Sequence, residues 1–294
     1  MTMLSPEFLT KLEQLRIHCQ QPFRGKFRGD RRSLNRGTGV EFADYRLYEH
    51  GDDLRYLDWN VYARLEKLFI KLFQADQELA ISILIDTSQS MQFGEPAKLN
   101  YVKQIAASLG YIALANSDRV ALFTLADHLF SVLPPTYGKS QYSRFQKVLS
   151  TIEAGGTTRL TECLKHLAAF QAQAGVAIIL SDFLDSGGYA EGINSLLGRG
   201  FALTLIHVQC LEEIDPPPPG EWQLEDAETG ETKEITVNEE TIAHYQNRQR
   251  EFCENLDRFC TERGIGYVRI STDIPFESVI LRDMQRTGFI RRRY

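Results

Sequence analysis

Six short apolar runs, separated by segments with helical periodicity, constrain the fold of this chain most strongly. The runs cover residues 79–85, 119–125, 129–133, 176–180, 202–208 and 266–270. Between the first two runs, apolar residues repeat at helical spacing at Leu99, Val102, Ile105, Ala106, Leu109, Ile112 and Ala113. Because apolar strands alternate with amphipathic helices, the sequence predicts an α/β fold with a doubly wound, mostly parallel sheet flanked by helices in three layers.

Further helices are predicted over residues 5–20, 140–152, 159–173, 188–198, 240–262 and 275–286. The short stretch DHLFS after the second strand indicates one antiparallel edge strand. Residues 212–237 interrupt the alternation with a stiff proline run and an acidic β-hairpin turning at Thr229 and Gly230. Such a hairpin is either a solvated surface feature or an interaction arm.

Composition narrows the functional classes. The 294 residues are 43% hydrophobic and 24% charged, with a net charge of −6 that gives no general reason to expect nucleic acid or an anionic membrane as partner. The five cysteines form no C-x-x-C pair, which favours free thiols in a reducing cytoplasm. The apolar runs are strand-length, so we expect no membrane span and a cytoplasmic protein.

The first apolar strand ends in the sequence Asp86-x-Ser88-x-Ser90, which places three oxygen-bearing side chains in five residues. In an open parallel sheet, ligands bind at the carboxyl ends of the strands. A carboxylate and two hydroxyls are hard oxygen donors, which suit Mg²⁺ or a similar ion and not zinc or copper. One loop supplies at most half of an octahedron, so further donors are required from other strands.

Two later segments offer such donors. Residues 155–158, GGTT, precede a predicted helix, and their glycines let the backbone and the Thr157 hydroxyl approach an ion closely. Asp182 follows the apolar run 176–180, again at the carboxyl end of a strand. The three elements in this order, within an alternating α/β pattern, predict a site for a hard cation.

This arrangement resembles the von Willebrand factor A-like domain and its metal-ion-dependent adhesion site, over about residues 79–210. The resemblance implies Ser88, Ser90 and Thr157 as direct ligands of Mg²⁺, Mn²⁺ or Ca²⁺. Asp86 and Asp182 would bind the ion directly or hold its coordinating waters. In that family a carboxylate from a protein partner commonly completes the coordination, and glycine often follows the final Asp, where this chain has Phe183.

The segment from Gly37 through Met91 resembles a bacterial family catalogued as domain of unknown function fifty-eight, in which such a segment precedes a von Willebrand-type domain. The resemblance implies a two-part organisation: an N-terminal segment, 1–78, packing on a core domain, 79–294, with the acidic hairpin inserted at 212–237. It also implies a MoxR-type AAA+ ATPase as partner, and hence an adaptor or co-chaperone.

Charges of alternating sign lie among aromatic residues in the N-terminal segment. The charged residues are Asp44, Arg46, Asp52, Asp53, Arg55, Asp58 and Arg64, and the aromatic residues are Tyr45, Tyr48, Tyr56, Trp59 and Tyr62. Arginines paired with carboxylates beside aromatic rings favour a rigid, partly buried polar network, although the same pattern is compatible with a docking face.

Alternative functions remain open at this point. Asp86 with Mg²⁺ is compatible with a phosphohydrolase or phosphotransferase, but such enzymes need a second carboxylate where Ser88 stands and a facing lysine, and no strand-end lysine is evident. The basic loop 24–36 is compatible with a scaffold for nucleic acid or with internal ion pairs. Residues 138–140, GKS, lack the first glycine of a phosphate-binding loop. We find no catalytic constellation, and expect a cation-dependent protein-binding module that does not bind nucleic acid.

Overall fold

The computed structural model describes residues 3–18, 32–35, 41–50, 52, 54–76, 78–171, 174–216, 218–225 and 232–293. By contacts the chain divides into two compact units. The larger unit comprises Met1–Phe23 and Leu79–Tyr294, and the smaller comprises Arg24–Glu78. Residues 1–23, which the sequence analysis grouped with the N-terminal segment, thus belong to the unit that contains the predicted core.

The strands and helices follow in chain order. The strands are β1 (Leu15–Ile17), β2 (Arg32–Asn35), β3 (Glu41–Leu47), β4 (Phe69–Asp76), β5 (Ala80–Asp86), β6 (Arg119–Leu125), β7 (Leu129–Tyr137), β8 (Val176–Ser181), β9 (Ala202–Gln209), β10 (Gly220–Glu225), β11 (Thr232–Val237), β12 (Gly266–Ser271) and β13 (Ile290–Arg292). The helices are α1 (Pro6–Leu12), α2 (Trp59–Leu65), α3 (Lys98–Ala115), α4 (Tyr142–Ser150), α5 (Leu160–Phe170), α6 (Ala190–Gly198), α7 (Leu211–Ile214), α8 (Glu239–Arg263), α9 (Phe276–Ser278) and α10 (Met284–Arg286).

Six strands form the central sheet of the larger unit, in the order β12-β9-β8-β5-β6-β7. Every neighbouring pair is parallel except β6 and β7, which are antiparallel. The predicted α/β class, with a mostly parallel sheet and one antiparallel edge strand, is confirmed. The chain order reverses at β5, which has β6 on one side and β8 on the other, and such a reversal opens a crevice at the carboxyl edge of the sheet.

The two faces of the sheet are covered by separate apolar cores. Ile81, Ile83 and Ile85 of β5 point to one core, which also receives α1, α3, α4 and the C-terminal helices. Leu84 points to the other core, formed with α5, α6 and α8. Because side chains alternate along a strand, a strand buried on both faces is apolar at most of its positions, which explains the apolar runs in the sequence.

The first helix is shorter than predicted. It covers Pro6–Leu12, with the Ser5 hydroxyl accepting from the Phe8 amide as N-cap, and the chain then enters β1. Strand β1 pairs antiparallel with β13, with Leu15 opposite Arg292. The prediction of a helix over 5–20 is therefore wrong beyond residue 12, because a strand from the far end of the chain pairs with this segment.

The predicted acidic hairpin is present, with β10 antiparallel to β11, and its turn at Thr229 and Gly230 lies outside the described residues. Helix α8 is capped at its start by the Asn238 side chain and is followed by Gly264, which has a φ of 65°. The predicted helix over 275–286 contains a π-helical turn, Val279–Asp283, between α9 and α10.

The smaller unit contains the antiparallel strands β2-β4-β3 and helix α2. Strand β2 lies inside the predicted basic loop, the rest of which is outside the described residues. Some of the contacts predicted among the charged and aromatic residues of the N-terminal segment are present in the described residues. Arg46 pairs with Asp52 at 2.5 Å, the Tyr45 hydroxyl donates to Asp58 at 2.8 Å, and Asp58 caps α2 by accepting from the backbone amides of the helix's first turn.

Four cysteines, Cys163, Cys210, Cys253 and Cys260, are buried free thiols, and Cys19 lies outside the described residues. Of the helices in the described ranges, none has the length and apolarity needed to cross a bilayer.

Candidate functional site

Asp86 ends β5 in a fully buried position at the carboxyl edge of the sheet. One carboxylate oxygen, Oδ1, accepts hydrogen bonds from the Ser88 amide at 2.9 Å and the Ser88 hydroxyl at 2.7 Å. The other, Oδ2, accepts from the Ser181 hydroxyl at 2.5 Å. Ser181 and Asp86 lie on the adjacent strands β8 and β5, so this hydrogen bond joins the carboxyl ends of the two strands. Burial, with the negative charge of Asp182 added, raises the pKa of Asp86 to about 6.

The two serines connect Asp86 with Asp182. The Ser88 and Ser90 hydroxyl oxygens are 3.0 Å apart, and the Ser90 hydroxyl lies 3.0 Å from Asp182 Oδ2. The four side chains thus form a chain of oxygens, Asp86–Ser88–Ser90–Asp182, here called the oxygen chain. The structure therefore brings together four of the five predicted ligands, from loops that are far apart in the sequence.

The fifth predicted ligand, Thr157, makes different contacts. Its hydroxyl and its amide donate to Asp127 Oδ1 at 2.7 and 2.8 Å, and these bonds lower the pKa of Asp127. The loop before Thr157 does adjoin the Asp86 loop, because the Gly156 carbonyl accepts from the Gln89 amide at 3.1 Å. Gly156 has a φ of 81°, and a Cβ there would lie 2.9 Å from Asp127, which explains the glycine.

Lys98, the first residue of α3, places an ammonium group at this site. Its side chain is only 1% exposed, and its Nζ lies 2.6 Å from Asp182 Oδ2 and 2.5 Å from Glu213 Oε1. Burial lowers the pKa of Lys98, but the charges of Asp182 and Glu213 outweigh it and leave the pKa raised. Sequence analysis missed this residue and found no lysine at the strand ends, because α3 begins only after the loop that follows β5.

The loop after Asp182 departs from ordinary backbone geometry. Phe183 has a φ of 58°, the left-handed region that glycine favours, although its side chain is almost fully buried. Its amide donates to the Ser181 hydroxyl at 2.9 Å, and its ring packs edge-on against His207 at 5.9 Å. A left-handed backbone conformation at a residue other than glycine costs about 1–3 kcal/mol.

His207 is a buried residue of β9. Its Nδ1 lies 2.8 Å from the Tyr267 hydroxyl, and its ring is only 1% exposed. In the GKS segment at 138–140, the exposed Lys139 ammonium pairs with Glu13.

The oxygen chain allows a test of whether a cation suits these residues. Its three oxygen–oxygen contacts share only two hydroxyl hydrogens, those of Ser88 and Ser90. When both aspartates are ionised, one contact therefore joins two oxygens with no hydrogen between them, which is unfavourable unless a proton or a cation is added. Within the described ranges no three His, Cys, Asp or Glu side chains gather as a metal cluster, so a cation here must use the hydroxyls. The donor set suits a hard cation, although Lys98 competes for Asp182.

The fold and this site define an open, doubly wound α/β domain with a polar cluster at the carboxyl edge of its sheet. The chain belongs to the family described as protein of unknown function DUF58, whose profile matches residues 44–254. The resemblance to that family is thereby confirmed.

The individual proteins that match this chain share little sequence identity with it. The chain is 26% identical to Uncharacterized protein Rv1480 of Mycobacterium tuberculosis over 238 residues, which cover 79% of this chain and 75% of that protein. It is similar to the crystal structure of BatB from Bacteroides thetaiotaomicron, with a TM-score of 0.45 and 18% identity over 71% of this chain and 98% of the other. A von Willebrand factor type A structure from Catenulispora acidiphila has a TM-score of 0.37 and 16% identity, over 46% of this chain and 34% of the other.

Proposed function

We propose that this protein is a protein-interaction module whose sheet edge binds a divalent cation. The observation that carries the proposal is the oxygen chain, in which three contacts share two hydroxyl hydrogens. A positive charge between the oxygens would remove that deficit, and hard oxygen donors at a strand end favour Mg²⁺, with Mn²⁺ or Ca²⁺ as alternatives.

Each residue has a role in the proposal. Ser88 and Ser90 present hydroxyl oxygens, Asp182 supplies charge, and buried Asp86 fixes Ser88 by accepting from both its amide and its hydroxyl. Thr157 would join the set only by leaving Asp127. A bound divalent cation would offer an open coordination position to a carboxylate of a partner protein.

The partner belongs to the proposal as well. We take it to be a MoxR-type AAA+ ATPase in the cytoplasm, which this chain would serve as adaptor or co-chaperone. This part rests on the family resemblance and not on any contact of the described residues. Three exposed apolar side chains are compatible with an interface here: Phe93 after the Ser90 turn, Leu184 after Asp182, and Leu211 at the start of α7.

Two measurements test cation dependence and partner binding together. Mg²⁺ should raise the melting temperature of the protein, and the double variant Ser88→Ala, Ser90→Ala should lose both that shift and partner capture. Ser108→Ala is a matched control, because Ser108 is also buried but donates to the Gln104 carbonyl within α3. Affinity capture from the native cell with and without chelator then examines the bridge directly, and identical captured proteins under both conditions would refute the cation-dependent mechanism.

A phosphoryl-transfer enzyme is a second candidate, because Lys98 supplies the cation that the sequence analysis did not find. Its nucleophile would be Asp86, yet that carboxylate is fully buried and both its oxygens accept hydrogen bonds. Turnover of an aryl phosphate that disappears in Asp86→Asn would favour this candidate over the binding module. Nucleic-acid binding by residues 24–36 stays an untested alternative, since that loop lies mostly outside the described residues.

A further inference from the structure

Lys98 is unusual because its ammonium is buried at the proposed cation site itself. Lysine is rarely buried unless it is paired, and here two carboxylates provide the pairing, at 2.6 Å and 2.5 Å. One of them, Asp182 Oδ2, is the same oxygen that Ser90 contacts at 3.0 Å. A divalent cation on Ser90 and Asp182 would therefore lie a few ångströms from a fixed positive charge, and the two would repel.

The second carboxylate comes from Glu213 in α7, which connects β9 with the acidic hairpin. Its Oε1 contacts the Lys98 ammonium, while its Oε2 accepts from the Cys210 amide at 3.0 Å. The Glu213 carbonyl accepts from the Tyr245 hydroxyl and the Gln249 side chain of α8. Lys98 thus links Asp182 at the carboxyl edge of the sheet to Glu213 in α7.

We propose that the Lys98 ammonium and a divalent cation are alternative occupants of the Asp182 carboxylate. In the form described, Lys98 neutralises Asp182 and holds Glu213 in place. Binding of the divalent cation displaces Lys98 from Asp182, and the ammonium leaves the position from which it also reaches Glu213. Helix α7 thereby loses this ion pair and is loosened, while Glu213 keeps its contacts with Cys210, Tyr245 and Gln249. The cation is thereby coupled to the surface around Leu211, which is 51% exposed. This inference rests on the proposed function, because it assumes that a cation binds at Ser90 and Asp182.

Titration calorimetry with Mn²⁺ tests the competition in three proteins: the wild type, Lys98→Met and Lys103→Met. Lys103 is a matched control, because it is a buried lysine of the same helix whose ammonium donates to the Ile152 carbonyl and not to a carboxylate. We expect Lys98→Met to bind Mn²⁺ more tightly than the wild type by about tenfold or more, because one positive charge no longer opposes the ion. Lys103→Met should bind like the wild type.

Hydrogen exchange of the wild type provides a second readout that needs no variant. Amides of residues 210–215 should exchange faster with Mg²⁺ than with chelator, because the Lys98–Glu213 contact is broken. This measurement decides the matter if Lys98→Met does not fold.

The outcomes separate the two proposals. Equal Mn²⁺ affinity in the wild type and Lys98→Met, or unchanged exchange at 210–215 in a protein that does bind the ion, would overturn the competition and leave the proposed function standing. Absence of binding in both proteins would overturn the cation dependence of the proposed function, and this inference with it.

Discussion

Replacement of His207 by asparagine should change how stability depends on pH. Burial lowers the pKa of His207 from 6.5 to about 4, and outweighs the opposing effect of the Asp182 charge. The unfolded chain therefore binds more protons than the folded protein between these two values. The free energy of unfolding rises with pH across this window, and its contribution from His207 is lost as the pH falls. A difference of about 2.5 pKa units corresponds to about 3 kcal/mol.

The assay is urea denaturation of both proteins from about pH 4 to about pH 7, the range in which the histidine effect develops. Asparagine keeps a polar atom near the position of Nδ1, facing the Tyr267 hydroxyl, but it loses the ring packing against Phe183 and Phe252. That packing loss is independent of pH, so the slope is the informative quantity and not the absolute stability. We expect the wild type to gain about 3 kcal/mol more than His207→Asn over this range. Parallel profiles for the two proteins would show that the folded state does not hold this imidazole neutral.

Three further predictions concern stability. The pKa of Asp86 is raised from 3.8 to about 6, so in chelator the free energy of unfolding should fall by about 3 kcal/mol as the pH rises between those values, the opposite sign to His207. Asp86→Asn should remove this pH dependence, and an unchanged slope in denaturation profiles would contradict the prediction. Phe183→Gly should be more stable than Phe183→Ala by about 1 kcal/mol in urea denaturation, since only glycine relieves the left-handed backbone. If the alanine variant were the more stable of the two, the backbone at residue 183 would not be strained. Gly110→Ala should lower the melting temperature, at a cost of about 1–3 kcal/mol, because its Cβ would lie 2.4 Å from the Phe145 ring, whereas Gly198→Ala, with open space around it, should not.

Much of the fold could be predicted because each local pattern agreed with its tertiary setting. The predicted strand at 119–125 has those bounds in the structure. The strand predicted at 79–85 is Ala80–Asp86, and the other four strands of the central sheet begin where predicted and end later. The inner strands β5, β6, β8 and β9 are buried along almost their whole length, which favours the apolar runs that the sequence displays. The segment after residue 12 was mispredicted because its partner, β13, lies at the other end of the chain, and local periodicity carries no information about such pairing.

Of the candidate site, the sequence predicted the oxygen donors at the strand ends but not the charged residues that contact them. Asp86, Ser88, Ser90 and Asp182 were found because strand ends in a parallel sheet share one edge. Lys98 and Glu213 were missed because their contacts span 84 and 115 positions of the chain and follow no recurring spacing. The identity of Phe183 does not predict its left-handed backbone, since a bulky aromatic residue is among the last expected there; the signal at this position was the glycine that the resembled family often has.

The pairing of β1 with β13 has a mechanical consequence. Because Leu15 lies opposite Arg292 in an antiparallel ladder, the chain before β1 and the chain after β13 leave from the same end of that ladder. A force that pulls these two segments apart would load the hydrogen bonds one after another, as in opening a zipper, and not all at once as in shear. Stretching by the two ends should therefore detach this small ladder at low force, while the six-stranded sheet keeps its registry.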